Sequence, residues 1–268
     1  MSNSIVITGG ANGIGAAVVS RLLTKKCHLT VLDVVEPEAS AVDYIQCDLA
    51  DPVSIDNAIT SLPEQIDALV NVAGVSNAFP AETIMAVNLL GLRHLTESLI
   101  PRIVDAGNIV IVASSAGHDW RSRREDVELF LTTSSFESGL TWLRAHKNTW
   151  IENPYKFSKQ CAAAYTYKAA GLAHKRGVRA NCVNPGSTGT QLTADFRELV
   201  GEELYDWGVK QIGREGNPDD IAEVIEFLAI GNTRWLNGVE MIVDGGYIGG
   251  LTGGWIDRSQ SPGAKQKK

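Results

Sequence analysis

Cysteine is scarce in this chain: four in 268 residues, Cys27, Cys47, Cys161 and Cys182, scattered and with no CxxC spacing. That excludes a disulfide scaffold, and the four read as small apolar fillers in a reducing compartment. The five histidines form no HxxxH or HxH pair, so no metal site is legible. Positive charge is not in excess either. Lys and Arg number 24 against 31 Asp and Glu, a formal net charge of −7, which gives a nucleic acid or an anionic membrane no electrostatic support. No apolar run approaches the length that spans a bilayer. The opening MSNSIVITGG is a short polar lead into a strand, without a basic segment or cleavage site, so a cytoplasmic location is expected. What is present is ordinary for a globular protein. Hydrophobic residues make up 44% and charged residues 21%, and the length suits one α/β domain with a sizeable core.

Short β-branched runs alternate with stretches of helical apolar spacing. Strands are predicted at 4–8, 28–33, 43–47, 67–71, 108–113, 178–183 and 240–243, and helices at 13–25, 51–61, 85–105, 153–175 and 219–229. Strands that are apolar throughout and separated by helices indicate a parallel sheet covered on both faces. Right-handed crossovers then give a single Rossmann-type, doubly wound α/β sheet of about seven strands. One domain is expected over 1–258. The polar, cationic stretch 259–268 (SQSPGAKQKK) is expected to be a disordered tail.

One region breaks the rhythm. Residues 116–152 separate the fifth strand from the next long helix, and a connection of that length is either functional or carries helices of its own. It has a charged start at 121–128, and its spacing favours a short helix at 137–146. Its aromatics, Trp120, Phe136, Trp142 and Trp150, fit two roles equally: the wall of a pocket for a ring-containing ligand, or a structural one as the core of the inserted helices or an interface.

The first strand runs into Thr8-Gly9-Gly10-Ala11-Asn12-Gly13-Ile14-Gly15. A glycine-rich turn between strand and helix lets backbone approach a pyrophosphate, and the helix N-terminus offers free N–H groups and a positive dipole end. Asp33 ends the second strand, where a carboxylate can accept hydrogen bonds from both hydroxyls of an adenine ribose. It would repel a 2′-phosphate, and no arginine adjoins it, so NAD is the expected cofactor, not NADP. Tyr155 and Lys159 stand one helical turn apart on the same face. A phenol with a pKa near about 10 is a poor base at neutral pH. A nearby ammonium would favour its phenolate.

Taken together these motifs resemble the short-chain dehydrogenase/reductase family over about 5–246. The matches are TGGANGIG, Asp48-Leu49, NVAG at 71–74, Asn88 in VNLLG, Ser114-Ser115, YKFSK, NPGSTGT at 184–190 and VDGG at 243–246. The resemblance implies roles. Tyr155 is similar to the catalytic acid/base, Lys159 to the residue that binds the nicotinamide ribose and tunes that tyrosine, and Ser115 to the hydroxyl that orients the substrate oxygen. Asn88 matches the asparagine whose helix distortion holds a proton-relay water. Gly9, Asn12, Gly13, Ile14 and Gly15 would cradle the phosphates, and Asp48 and Leu49 would flank the adenine. Asn71, Ala73 and Gly74 would line the groove, and Pro185, Gly186, Thr188 and Thr190 would hold the carboxamide.

Two departures stand out. NVAG replaces the commoner NNAG, which removes one side-chain amide beside the sheet. Ser115 and Tyr155 are 40 apart in the sequence, far more than in most relatives. Such an insert resembles a smaller subgroup containing 3α-hydroxysteroid dehydrogenase/carbonyl reductase and coniferyl-alcohol dehydrogenase. The resemblance implies an enzyme moving a hydride between NAD and an alcohol or carbonyl compound, an aromatic or allylic alcohol first and a steroid second. A non-catalytic NAD-binding regulator is the alternative of another class. The insert should obstruct pairing through the helices at 85 and 153, leaving a homodimer built on 219–229 and 240–243, with the insert over part of the substrate cleft. An outward-folded insert that builds a new interface is the other possibility.

Overall fold

The computed structural model describes residues 2–262 and 264. Seven strands, β1 (Ser4–Thr8), β2 (His28–Asp33), β3 (Asp43–Gln46), β4 (Ile66–Asn71), β5 (Ile103–Val112), β6 (Arg179–Pro185) and β7 (Glu240–Val243), form one parallel sheet. Their order is β3-β2-β1-β4-β5-β6-β7. The chain order reverses between β1 and β4, and there the crevice opens at the carboxyl ends of the strands.

The helices are α1 (Gly13–Thr24), α2 (Pro52–Ser61), α3 (Ala81–Met85), α4 (Leu92–Leu99), α5 (Arg124–Leu131), α6 (Phe136–Ala145), α7 (Lys147–Trp150), α8 (Pro154–Ala173), α9 (Thr193–Val200), α10 (Glu202–Ile212), α11 (Pro218–Ile230) and α12 (Tyr247–Gly253). Successive strand residues face opposite sides, so each strand feeds two cores. Ile5, Ile7, Val31 and Val70 pack with Val18, Val19 and Leu22 of α1 and Ile221, Ile225 and Leu228 of α11. Val6, Leu32, Leu69 and Ile109 pack on the other side with α2, α4 and α8. Among the described residues no helix is long and apolar enough to cross a membrane.

The long helix expected at 85–105 is a correction. It begins earlier, at Ala81, loosens into a π-helical turn at Ala86–Gly91, and ends with α4 at Leu99 and a 3-10 turn at Ile100–Arg102. Pro101 lacks the N–H that would continue it, and residues from Ile103 already belong to β5. The helix α8 stops at Ala173, followed by a 3-10 turn and Gly177 in the left-handed region at φ 68°. The reading of 259–268 as a tail meets a 3-10 turn at Arg258–Gln260 and a buried Ser261, and 263 and 265–268 lie outside the described residues.

The insert carries helices of its own. The expected helix at 137–146 is α6, whose start is fixed by a reciprocal cap between Ser135 and Ser138. Glu125 and Asp126 occupy the first turn of α5, where negative charge suits the helix dipole. Trp120, Phe130, Phe136 and Trp150 are buried in the core shared with α8, and Trp142 packs against it. Of the two roles open to the insert's aromatics, the structure therefore assigns the core. A brace of polar contacts ties the insert to the sheet edge. Glu240 of β7 accepts Trp120 Nε1 at 3.0 Å, Arg121 Nη1 at 3.1 Å and Tyr167 Oη at 2.7 Å.

Candidate active site

A cleft of about 870 Å³ runs along the carboxyl ends of the strands, from Asp33 and Asp48 at one end to Tyr155 and α9 at the other. The glycine loop forms its first wall. Gly9 has φ 71°, and a β-carbon there would lie 2.6 Å from Ala73 Cα. One on Gly15 would lie 1.8 Å from the Gly9 carbonyl oxygen, so neither position admits a side chain. Asn12, Gly13, Ile14 and Gly15 thereby bring the start of α1 to the cleft. The Asp33 carboxylate accepts the Ala11 N–H at 3.0 Å and the Val35 N–H at 3.2 Å, and it remains on the cleft wall. Asp48 accepts the Ala50 N–H at 2.8 Å, and Leu49 completes that end.

Ala73 and Gly74 form the floor where β1 and β4 part. The amide that NVAG lacks is not needed to hold this loop, because Thr8 Oγ1 accepts both Val72 N–H at 3.1 Å and Ala73 N–H at 3.2 Å. Asn71 does not reach the cleft wall. Its side chain is buried and its Nδ2 donates to Thr96 Oγ1 of α4 at 3.1 Å. Pro185, Gly186, Thr188 and Thr190 form the far wall, with Gly186 pressed so close to Asp244 that a β-carbon would lie 2.5 Å from its Cβ.

At the other end Tyr155 and Lys159 come to one face of α8, both nearly buried. Lys159 Nζ donates to the Val112 carbonyl at 3.1 Å and lies 5.9 Å from the centre of the Tyr155 ring. Burial pushes the phenol up to about 12, against the pull of a hydrogen bond from Ser114. Burial also brings the ammonium down to about 8. The lysine was expected to lower the phenol's pKa, but in this cleft desolvation outweighs it.

Both serines of the pair, Ser114 and the expected Ser115, line the cleft. The Ser114 hydroxyl, two residues past the end of β5 on extended backbone, accepts the Ala116 N–H at 3.1 Å. Ser115 begins the following 3-10 turn and also lines the cleft, but its carbonyl is held by His118 Nδ1 at 2.6 Å. Nothing in two adjacent serines distinguishes them in sequence. Asn88 lies one layer behind, buried within the π-helical turn. Its Oδ1 accepts Val75 N–H at 2.8 Å, and its Nδ2 donates to Val75 O and Ser158 Oγ, each at 3.0 Å.

The substrate end is apolar and was not visible in the sequence reading. Val75, Phe79 and Val87 face Phe196, Leu199, Val200 and Tyr205 across it. The second set belongs to α9 and α10, whose register follows no strand and whose outward residues are polar. Beyond Ala116 no residue of the insert lines this space, so the insert does not cover the cleft as expected.

Residues 3–124 match the family model described as short chain dehydrogenase, and 138–248 the one described as Enoyl-(Acyl carrier protein) reductase. The chain is 32% identical over 246 residues to coniferyl-alcohol dehydrogenase of Pseudomonas sp., an alignment covering 91% of this chain and 96% of that protein. It is 26% identical over 275 residues to momilactone A synthase of Oryza sativa subsp. japonica, covering 90% and 88%. The solved structure of 4-hydroxyisoleucine dehydrogenase complexed with NADH superposes with a TM-score of 0.71 at 24% identity, covering 93% of this chain and 100% of that one, which shows a shared fold.

The buried lysine has a consequence for stability. Its folded pKa of about 8 lies below the ordinary 10.5, so between those values the unfolded chain binds more protons and stability rises with pH. Against Lys159→Met, which has no such proton, wild-type stability should gain about 2–3 kcal/mol between pH 7.5 and 10. Denaturant unfolding of both proteins across that range reads the gain, and a flat difference would show that the ammonium is not desolvated.

Proposed function

The chain belongs to the short-chain dehydrogenase family, oxidoreductases that use a nicotinamide cofactor, and we propose that it moves a hydride between NAD and the carbinol carbon of an aromatic or allylic alcohol. The observation that carries this reading is the meeting of Tyr155, Ser114 and Lys159 at the apolar end of a cleft whose other end presents Asp33. Kinship with an aromatic-alcohol dehydrogenase at 32% identity supports the substrate class.

The residues fit a dinucleotide. At Gly9, Gly10 and Gly15 the loop has no room for a β-carbon, yet its helix N-terminus faces the cleft, as a phosphate-binding turn requires. Asp33 would accept the adenine-ribose hydroxyls, and its charge opposes a 2′-phosphate, which favours NAD over NADP. Bound there, NAD supplies the hydride acceptor. The chain's own groups handle the proton. Tyr155 Oη takes it from the substrate hydroxyl. Burial holds the phenol protonated in the free protein, so Tyr155 Oη becomes a proton acceptor only as the substrate and cofactor charges come beside it, with Lys159 Nζ 5.9 Å from the centre of the ring. Ser114, which lines the same part of the cleft, would hold the substrate oxygen, and the apolar walls exclude water as charge develops.

We further propose a homodimer through α11 and β7. The insert covers the flanks of α4 and α8, while β7 is an edge strand and Phe227, Trp235 and Ile242 stand exposed around it. A closed two-fold pair requires the same patch on both partners.

Three measurements test these statements. Tyr155→Phe should lower kcat by at least about a hundredfold, Ser114→Ala by a similar factor, and Ser115→Ala by far less; a larger loss in Ser115→Ala than in Ser114→Ala would return the role to Ser115. Asp33→Ala should shift the kcat/KM ratio for NAD over NADP by tenfold or more, about 1.4 kcal/mol, toward NADP. A wild-type enzyme that already prefers NADP would overturn the cofactor assignment. Light scattering at micromolar concentration should give a dimer that Phe227→Asp dissociates, and a stable tetramer would refute the arrangement.

A further inference from the structure

The helix α9 contributes no fully buried side chain, so core packing does not fix its height above the cleft. It is held instead by polar contacts: Thr193 Oγ1 donates to Thr188 O at 3.1 Å and accepts Thr190 N–H at 2.9 Å, and Arg197 pairs with Asp206 and Glu215. The Asp195 carboxylate accepts a hydrogen bond from Ser76 Oγ, and Ser76 is completely buried. Ser76 directly follows Val75, whose N–H and C=O are both held by Asn88. The helix therefore hangs from a loop that is itself clamped. The next residue, Phe196, lies on the catalytic tyrosine: the ring centres are 5.0 Å apart and the planes tilted by 59°. Leu199 and Val200 continue the same apolar face toward the mouth of the cleft.

We propose that Phe196 is the specificity-determining residue of the alcohol site, a ceiling that admits flat, conjugated carbinols and excludes branched ones, and that Asp195, through Ser76, is the positioning residue that sets its height. This rests on the reading of the cleft as an alcohol site. An alcohol within hydrogen-bond reach of Tyr155 Oη must enter beside Phe196, because the ring already covers one face of the phenol. A planar substituent on the carbinol carbon can lie along the phenyl ring and gain its contact. A tetrahedral branch at that carbon must push the ring upward, which strains α9 and the Asp195–Ser76 bond that holds the residue before the ring. The cost of that strain falls on branched substrates alone, which is how one contact becomes selectivity.

Cinnamyl alcohol and 1-phenyl-1-propanol serve as the flat and branched probes. Their kcat/KM values with NAD and their binding to the NADH-loaded protein, where no turnover occurs, are measured for wild type, Phe196→Ala, Asp195→Asn, Ser76→Ala and the Ser76/Asp195 double variant. Phe196→Ala should reduce the preference for cinnamyl alcohol by about tenfold or more in both measurements. The Asp195 and Ser76 variants should shift it the same way, and the double variant no further than the larger single one, since both break one bond. A merely destabilising change would lower both substrates alike. Unchanged preference in Phe196→Ala overturns the proposal. Loss of binding preference with no turnover in any protein would uphold the ceiling and sink the dehydrogenase reading. Normal turnover with unaltered preference would do the reverse.

Discussion

The catalytic end of the molecule depends on one buried positive charge. An ammonium taken out of water is costly unless acceptors replace its hydration, and Lys159 meets the Val112 carbonyl at the end of β5. To reach it, α8 must lie close to the sheet, and the small residues Ala162, Ala163 and Ala164 on its buried side allow that approach. The turn Ser115–Gly117 then lies directly on the helix. A β-carbon on Gly117 would fall 2.5 Å from the Lys159 backbone. That contact sets where the chain leaves β5, and so brings Ser114 to the phenol. The position of one charge thereby fixes the helix, the turn and the serine together.

The opposite side of α8 shows what the long insert does. Phe157, two residues beyond Tyr155, contacts Phe130 at 6.0 Å between ring centres and stacks on Trp142 at 6.4 Å, with Arg123 over its face at 5.0 Å. Glu240 gathers Trp120, Arg121 and Tyr167 at the sheet edge. The insert is a buttress, holding from outside a helix whose inner face brings Tyr155 and Lys159 to the cleft.

The sheet and its cofactor end were legible because their signals are local. Strand runs such as Ser4–Thr8 and His28–Asp33 are apolar throughout, and the bounds read from sequence match those found. The close approaches at Gly9 and Gly15 leave glycine as the only residue that fits, so the loop announces itself. What sequence did not carry was orientation and tertiary cause. Asn71 turns under the sheet toward Thr96, a choice made by a helix 25 positions away. Of two adjacent serines, one precedes and one begins the 3-10 turn after β5, a difference that only the fold sets. The π-helical turn widens a helix whose apolar periodicity looks continuous. The helices α9 and α10 show no buried face comparable to α8, because the surface they cover is a cleft and not a core.

Three functions meet in the five residues 72–76. Thr8 holds Val72 and Ala73 at the floor of the groove, Asn88 holds Val75 from the π-helical turn, and Asp195 takes Ser76 from α9. Each grip comes from a different element, and the segment has no regular structure of its own to resist them. Its backbone therefore settles where all three are satisfied. A shift of α9 is felt at Ser76, one residue from the peptide that Asn88 clamps and three from the floor that Gly9 touches. Coupling of this kind needs no long pathway, only a short loop with no slack. The NVAG change is tolerated in this setting because Thr8 Oγ1 accepts backbone N–H groups, which every residue but proline supplies, whereas the Asn88 and Asp195 contacts depend on particular side chains.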